Sequence, residues 1–252
     1  MLRSPTSREK TALGKGPLKT TRLKALDFYD RVAPVYDLDF AYDPKTTRRQ
    51  VSWLARVCGR GKVLDLGCGS GRMLKPLSQA GCQVVGLDGS AHMLSLAALD
   101  NPGRGLVLAD AGRPLPFADA SFDLVICLHA TVLHIQSEAA RQCLAAQARR
   151  VLKPGGVFVV EAPHPRHYHN RHGDSRDWWM YQPGISCRLV GRSSMEMRLD
   201  EHGGISTLVH VFDLPYLHSW LAGFRRVDFY AGFRNAVYDP SRGDNIVVAA
   251  WR

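Results

Sequence analysis

The sequence predicts an α/β protein: a doubly wound, mostly parallel sheet with an antiparallel last strand, an N-terminal helical cap and an inserted antiparallel hairpin. Three observations carry that prediction. From Lys62 onward, short apolar runs alternate with stretches of helical periodicity, the pattern of strand-helix-strand units that build a parallel sheet. A glycine-rich turn with Gly67, Gly69 and Gly71 joins the first apolar run to the first helical stretch. The chain then closes with "RRVDFYAGF" and "NIVVAAW", two strand-like runs too close for a crossover helix and therefore read as an antiparallel pair.

Taken in order, Asp43-Pro44 reads as an N-cap with proline at the first helical position. Val51, Leu54 and Val57 at helical spacing continue that helix ahead of the sheet. The expected strands are 62–66, 83–87, 105–108, 122–128 and 156–161, separated by "SGRMLKPLSQAG", "SAHMLSLAALD" and "SEAARQCLAAQARRVLKPGG". Pro154, Gly155 and Gly156 stop the last of these helices. After Glu161 the alternation breaks for about fifty residues, and an insertion of about 163–212 is expected. Within it, alternating Met195, Met197 and Leu199, the turn "DEHGG" and alternating 205–212 predict a hairpin over 193–212. "LPYLHSWLAGF" then resumes a helical pattern.

The chain has 252 residues, 45% of them hydrophobic, and a formal charge of +10, enough for one large domain. Seven of the cations, against Glu9 alone, lie in residues 1–26. That stretch has no apolar periodicity and is expected to be a solvated, disordered tail, with a transit peptide or an RNA-contacting arm as alternatives. The domain is expected over 27–252, with its cofactor-binding core at about 60–162. No apolar run reaches the length of a membrane span, and no secretory pattern opens the chain. The six cysteines form no CxxC pair. A cytoplasmic protein with reduced thiols is expected.

"VLDLGCGSGRML" (63–74) is the informative stretch. Its glycines permit a tight turn and close backbone approach to a ligand, and the following helix offers free N–H groups to an anion. Asp88 ends the second strand, 23 residues after Asp65, where a carboxylate can accept both ribose hydroxyls of a nucleoside. A dinucleotide site could be built the same way. Asp110 ends the third strand, followed by "LPFADASFDLVICLHA".

These residues resemble the class I S-adenosylmethionine-dependent methyltransferases, whose fold is Rossmann-like. The likeness rests on "DLGCGSGR", "GLDGS" followed by Met93, "ADAGRPLPFADASFDLV" and "ARRVLKPGGVFVV". "DFYDRVAPVYD" (27–37) is similar to a stretch found ahead of the glycine turn in the small-molecule branch, which includes ubiquinone, menaquinone, glycine and amino-sugar methyltransferases. The resemblance implies S-adenosyl-L-methionine as cofactor. Asp65, Gly67, Cys68, Gly69 and Gly71 would face its methionine part. Asp88 would hold the ribose, Gly89 and Met93 would border the adenine, and Asp110 and Ala111 would meet its edge. Leu128 or His129 would offer backbone to the amino group, and Tyr36 would close over the carboxylate. For Met93, a place on the helix's core face is the alternative.

Methyl transfer from a sulfonium needs alignment above all, and a base only where the acceptor must lose a proton. His129 and His134, just past the fourth strand at the sheet's ligand-binding edge, are the candidate bases. A cofactor contact for His129 and a helix-entry role for His134 are the alternatives. Tyr29, His164, His167, Trp178 and Trp179 are the candidate acceptor contacts. The two tryptophans could instead anchor the insertion. The run "HPRHYHNRH" (164–172) lacks the regular spacing of a metal site, and none is expected; His169 and His172 are read as facing solvent. The fourth strand is followed by "CLHA" and not by an Asn/Asp-Pro-Pro-Tyr run, and Cys127 lies within an apolar strand. A nucleic-acid substrate is therefore not expected.

The expected activity is methylation of a small-molecule acceptor at O or N. The alternatives are an RNA methyltransferase using the basic tail, a cofactor-binding protein without turnover, and a nicotinamide-dependent oxidoreductase.

Overall fold

The computed structural model describes residues 21–36, 43–129, 131–163, 179–182, 184–200, 204–242 and 245–252. In chain order the first elements are β1 (Thr21–Leu23), α1 (Ala25–Val32), α2 (Pro44–Cys58), β2 (Lys62–Leu66), α3 (Leu74–Gln79), β3 (Gln83–Asp88), α4 (Ala91–Asp100), β4 (Gly105–Leu108) and β5 (Phe122–Cys127). There follow α5 (Glu138–Val151), β6 (Leu152–Ala162), β7 (Trp179–Gln182), β8 (Ile185–Gly191), β9 (Ser194–Leu199), β10 (Ile205–His210), α6 (Leu214–Trp220), β11 (Arg226–Ala231) and β12 (Ile246–Trp251).

Seven strands form the central sheet in the order β11-β12-β6-β5-β2-β3-β4. The β2, β3, β4, β5 and β6 pairings are parallel, while β12 runs antiparallel to both β6 and β11. Because both faces are covered, its inner strands read as continuous apolar runs, and period-two alternation sorts their side chains. Leu64, Leu66, Val125, Phe158 and Val248 enter one core. Val63, Leu124, Ile126, Val159 and Val247 enter the other, against Trp53 and Leu54 of α2 and Leu74 and Leu77 of α3. Each such side chain, fully buried, contributes about 1.5–3 kcal/mol relative to exposure.

The expected cap at Asp43 is present, and two serines cap further helices. Asp43 accepts from the Lys45 N–H at 3.0 Å ahead of Pro44. Ser90 accepts from Met93 at 3.0 Å and Ser137 from Ala140 at 3.1 Å. Each cap is worth about 1 kcal/mol.

A second sheet has the order β1-β10-β9-β8-β7. The β9–β10 hairpin occupies the predicted segment, paired Ile205↔Leu199 through His210↔Ser194. The structure extends it on both sides. β8 and β7 add antiparallel strands, and β1 adds a parallel one.

The boundary drawn at residue 26 falls inside ordered chain, since residues 21–26 form β1 and open α1. A buried acid explains the difference. Glu196 on β9 is 2% exposed, and Arg22 reaches it with Nε at 3.2 Å and Nη2 at 2.9 Å. Arg188 and Ser206 donate to the same carboxylate. A cation that composition assigns to a solvated tail is thus recruited by a charge that cannot stay buried alone.

His164, His167 and Trp178 lie outside the described residues, as do His169 and His172. Trp179 opens β7, and its side chain lies outside what is described. Among the described residues, no helix is long and apolar enough to cross a membrane.

Candidate functional site

The carboxyl ends of β2, β3, β4 and β5 open on a cavity of about 970 Å³. The turn after β2 makes its floor. Gly67 has φ +70°, and a Cβ there would run into the Thr131 side chain, so no other residue fits. The Gly67 and Cys68 N–H groups both donate to the Leu87 carbonyl, at 2.8 and 3.0 Å, and tie the turn to the end of β3. At Gly69, φ is +54° and a Cβ would meet only the Tyr36 ring, 4.0 Å away. The space in front of the loop is open to a ligand.

Asp88, at the end of β3, accepts from the Gly69 N–H at 2.8 Å on one oxygen and from the Ser90 N–H at 2.9 Å on the other. Each oxygen keeps further acceptor capacity, aligned by the backbone, for a pair of hydroxyls. Burial raises this carboxyl's pKa, while the N–H groups of Ser90, Gly69 and Gly89 oppose the rise. Asp65 is 3% exposed. Burial pushes its carboxyl up to about 7 against the pull of Arg72, and the charge of Asp88 adds to the rise. At neutral pH it is poised to ionise when a cation arrives.

Beyond β5, His129 adopts φ +52°, an uncommon conformation for a residue with a side chain. Its N–H donates to buried Glu161 at 3.1 Å, and Asn245 donates to the other Glu161 oxygen at 3.2 Å. Burial, with Arg72 nearby, holds the His129 imidazole well below its ordinary pKa. His134 ends the single-turn helix Thr131–His134 with Nε2 2.8 Å from the Tyr29 hydroxyl, and burial lowers its pKa to about 4. Tyr29 sits edge-on to both His134 and Tyr36, with ring centroids 5.0 and 6.0 Å away.

The cavity gathers most of the sequence-predicted residues. Asp65, Gly67, Cys68 and Gly69 come from the β2 turn, Asp88 and Gly89 from the end of β3, and Met93 from α4. Asp110 and Ala111 follow β4, Leu128, His129 and His134 follow β5, and Tyr29 and Tyr36 close the near side. Met93 lines the cavity while 1% exposed in the core.

Gly71 is not part of the wall. With φ +85°, it packs where a Cβ would stand 2.6 Å from Asn101 Nδ2, and that nitrogen donates to its carbonyl. Its work is the turn itself. Cys127 is fully buried and burial raises its thiol pKa, so it stays protonated.

Sequence reasoning missed the segment 22–27 that lines the cavity together with Thr207 and Leu208 of β10. Its basic composition masked it. It also missed Gln136, whose side-chain amide donates to the carbonyls of Leu133 and Leu208 at 2.9 and 2.8 Å and locks the turn after β5 to the second sheet.

Residues 64–160 match the family described as a methyltransferase domain. An uncharacterized methyltransferase of Synechocystis sp. is 41% identical over 39% of this chain and 45% of its own length. Demethylmenaquinone methyltransferase of Tropheryma whipplei is 36% identical over 56% of this chain and 59% of its own. The chain thus spans about half the length of these curated relatives. Among solved structures, the CcbJ methyltransferase of Streptomyces caelestis superposes with a TM-score of 0.69 at 21% identity, over 89% of this chain and 97% of that one. An amino pentose methyltransferase of Micromonospora echinaspora, solved with S-adenosylmethionine bound, gives 0.60 at 22% over 86% and 97%. Residues 64–160 thus resemble that domain family, and the chain shares the fold of these solved structures.

Proposed function

We propose that this chain is an S-adenosylmethionine-dependent methyltransferase acting at an oxygen or nitrogen of a small-molecule acceptor. The observation that carries this is Asp88, fixed by two backbone N–H groups at the rim of the glycine turn, facing a cavity that could enclose a nucleoside. The residues fit the cofactor. The open face of Gly69 leaves room for it, Asp88 offers acceptors to a ribose diol, and Asp65 gains a partner when a cationic group binds nearby. When bound, the cofactor supplies an electrophilic methyl on a sulfonium. The protein's part is to align and to exclude water.

Tyr29 and Tyr36 close the near side of the cavity with aromatic faces suited to a cationic centre. His129 and His134 are neutral at pH 7 and so do not repel it. Burial makes both imidazoles weak bases, His134 with a pKa of about 4, so they suit an acceptor that needs no proton removed before transfer, such as a neutral amine, better than an aliphatic alcohol. The relatives named for a demethylmenaquinone and an amino pentose support a small molecule as the acceptor class.

The test is a calorimetric titration with S-adenosylhomocysteine and with NAD, followed by transfer of labelled methyl from S-adenosylmethionine into a metabolite extract. Binding of S-adenosylhomocysteine and one labelled small compound are expected. Binding of NAD with none of S-adenosylhomocysteine would overturn the reading.

A further inference from the structure

Helix α2 carries a charge pattern that its fold does not require. Lys45, Arg48, Arg49 and Arg56 are all exposed, and at 100° per residue they fall within an arc of about 100° along about 16 Å of helix. Leu54, on the opposite face, and Trp53, at the side of the arc, are fully buried and pack on the sheet. From Pro44 to Leu64 the chain holds six cations and no carboxylate. Elsewhere Arg113, Arg150, Lys153 and Arg226 each lie within 4 Å of a carboxylate. None of the four on α2 does so among the described residues.

Local electrostatics oppose part of this arrangement. The helix has no acid in its first turn, and Lys45 stands at the positive end of the helix dipole, where carboxylates are favoured. Lys45 and Arg49, four residues apart, repel. Lys45 and Arg49 thus stand against the helix's own preference even with Asp43 as the cap, while Arg56 lies in the last turn, where the dipole favours a cation; together they concentrate positive charge that suits an anionic partner.

We infer that this face of α2 docks on an anionic lipid surface. Charge complementarity argues for a polyanion, and the neighbouring loop narrows the choice. Trp53 Nε1 donates to the Arg234 carbonyl at 3.1 Å, and Tyr230, edge-on to Trp53 at 5.1 Å, bridges to Val237. The loop so held beside α2 presents Val237 with 82% of its surface exposed, an apolar residue beside cations as at a membrane interface. The helix presents no aromatic ring on which a base could stack, since its only one, Trp53, is buried. The same helix borders the cavity, because its Thr47 and Gln50 receive the guanidinium of Arg72 in the cavity wall. Docking would bring the site's mouth close to a lipid-borne acceptor.

The docking does not rest on the proposed activity, and the two are tested apart. The full chain is incubated with phosphatidylcholine vesicles with and without phosphatidylglycerol, and bound protein is measured by sedimentation at low and high salt. Salt-sensitive binding only to vesicles holding phosphatidylglycerol is expected. Each cation near such a surface is worth about 5-fold in partition, so Lys45→Gln, Arg48→Gln and Arg56→Gln together should lower it roughly 100-fold. Arg49, whose charge reaches Glu161, is left in place. Lys10→Gln, Lys15→Gln and Lys19→Gln in the N-terminal segment should have the smaller effect. Thermal unfolding and the S-adenosylhomocysteine titration report whether the triple variant is intact, and Arg56→Gln alone, at about 5-fold, serves if it is not. Equal binding to both vesicles, an α2 variant that binds like the parent, or a loss confined to the N-terminal variant would overturn the inference. So would tighter α2-dependent binding to polyuridylate than to vesicles at the same salt, which would assign the face to nucleic acid.

Discussion

The two sheets of this protein are held by different means. The seven-stranded sheet is closed by apolar side chains on both faces, and its strand ends carry the glycine turn and Asp88. The five-stranded sheet is pinned by charge: Glu196 gathers Arg22, Arg188 and Ser206 from three other strands. Apolar burial is local in sequence, because each strand declares its own run. A buried ion pair is not, because Arg22 and Glu196 are 174 residues apart. The first sheet builds one side of the cavity and the second closes it through β1 and β10.

The contrast predicts how each half breaks. The largest effect belongs to the glycine turn. Gly67→Ala combines a left-handed backbone with overlap on Thr131, and should cost about 2–4 kcal/mol of stability along with S-adenosylhomocysteine binding. Chemical denaturation and calorimetry read both. Gly67→Ala with Thr131→Ser removes the methyl that a Cβ would meet most closely, and should recover part of the overlap cost while keeping the backbone part. A Gly67→Ala protein as stable as the parent would contradict the geometry.

Acid should loosen the second sheet. Burial works to raise the Glu196 carboxyl, but hydrogen bonds from Arg22, Ser206 and Arg188 outweigh it and hold the pKa at about 2. A depressed carboxylate contributes stability that is full above its unfolded value of about 4.5 and is lost as pH falls toward 2. Because both arginines are partly exposed, the contribution should be about 1–2 kcal/mol. Glu196→Gln should be less stable than the parent at pH 6, with the difference vanishing near pH 2. A constant gap across that range would sink the charge-pinned reading.

The first sheet's own titration should appear in ligand binding. Asp65 is raised to about 7, so a cationic ligand that needs it ionised binds more tightly as pH rises through 7 and levels off above. Between pH 6 and 8 the gain should be about 10-fold for S-adenosylmethionine, and Asp65→Asn should flatten the curve. The smallest effect is local to α4. Ser90→Ala removes the cap on Met93 and should cost about 1 kcal/mol, read as a shift in the unfolding midpoint.

The same contrast explains what could be read from the chain. Strands β2 and β4 have the bounds their apolar runs give, β3 and β5 differ by one residue at an end, and β6 begins at Leu152, four residues before the expected start, so Pro154, Gly155 and Gly156 lie within the strand and the helix has already ended at Val151. In the second sheet only the β9–β10 hairpin was legible, through its alternation around "DEHGG". The three-residue β1 is a basic segment whose partner strand lies far along the chain. Within the site, turn chemistry exposed Gly67, Gly69 and Asp88. It also suggested Gly71, which serves the turn and not the cavity. The Gln136 link to Leu208 spans 72 residues and left no local signal.

The most direct test is a calorimetric titration of S-adenosylhomocysteine into the parent and Asp88→Ala proteins, with unfolding midpoints measured beside it. If Asp88 accepts two ribose hydroxyls as proposed, its removal should weaken binding at least about 100-fold, with the variant still folded. Equal affinity in the two proteins, or no binding in either, would contradict the account.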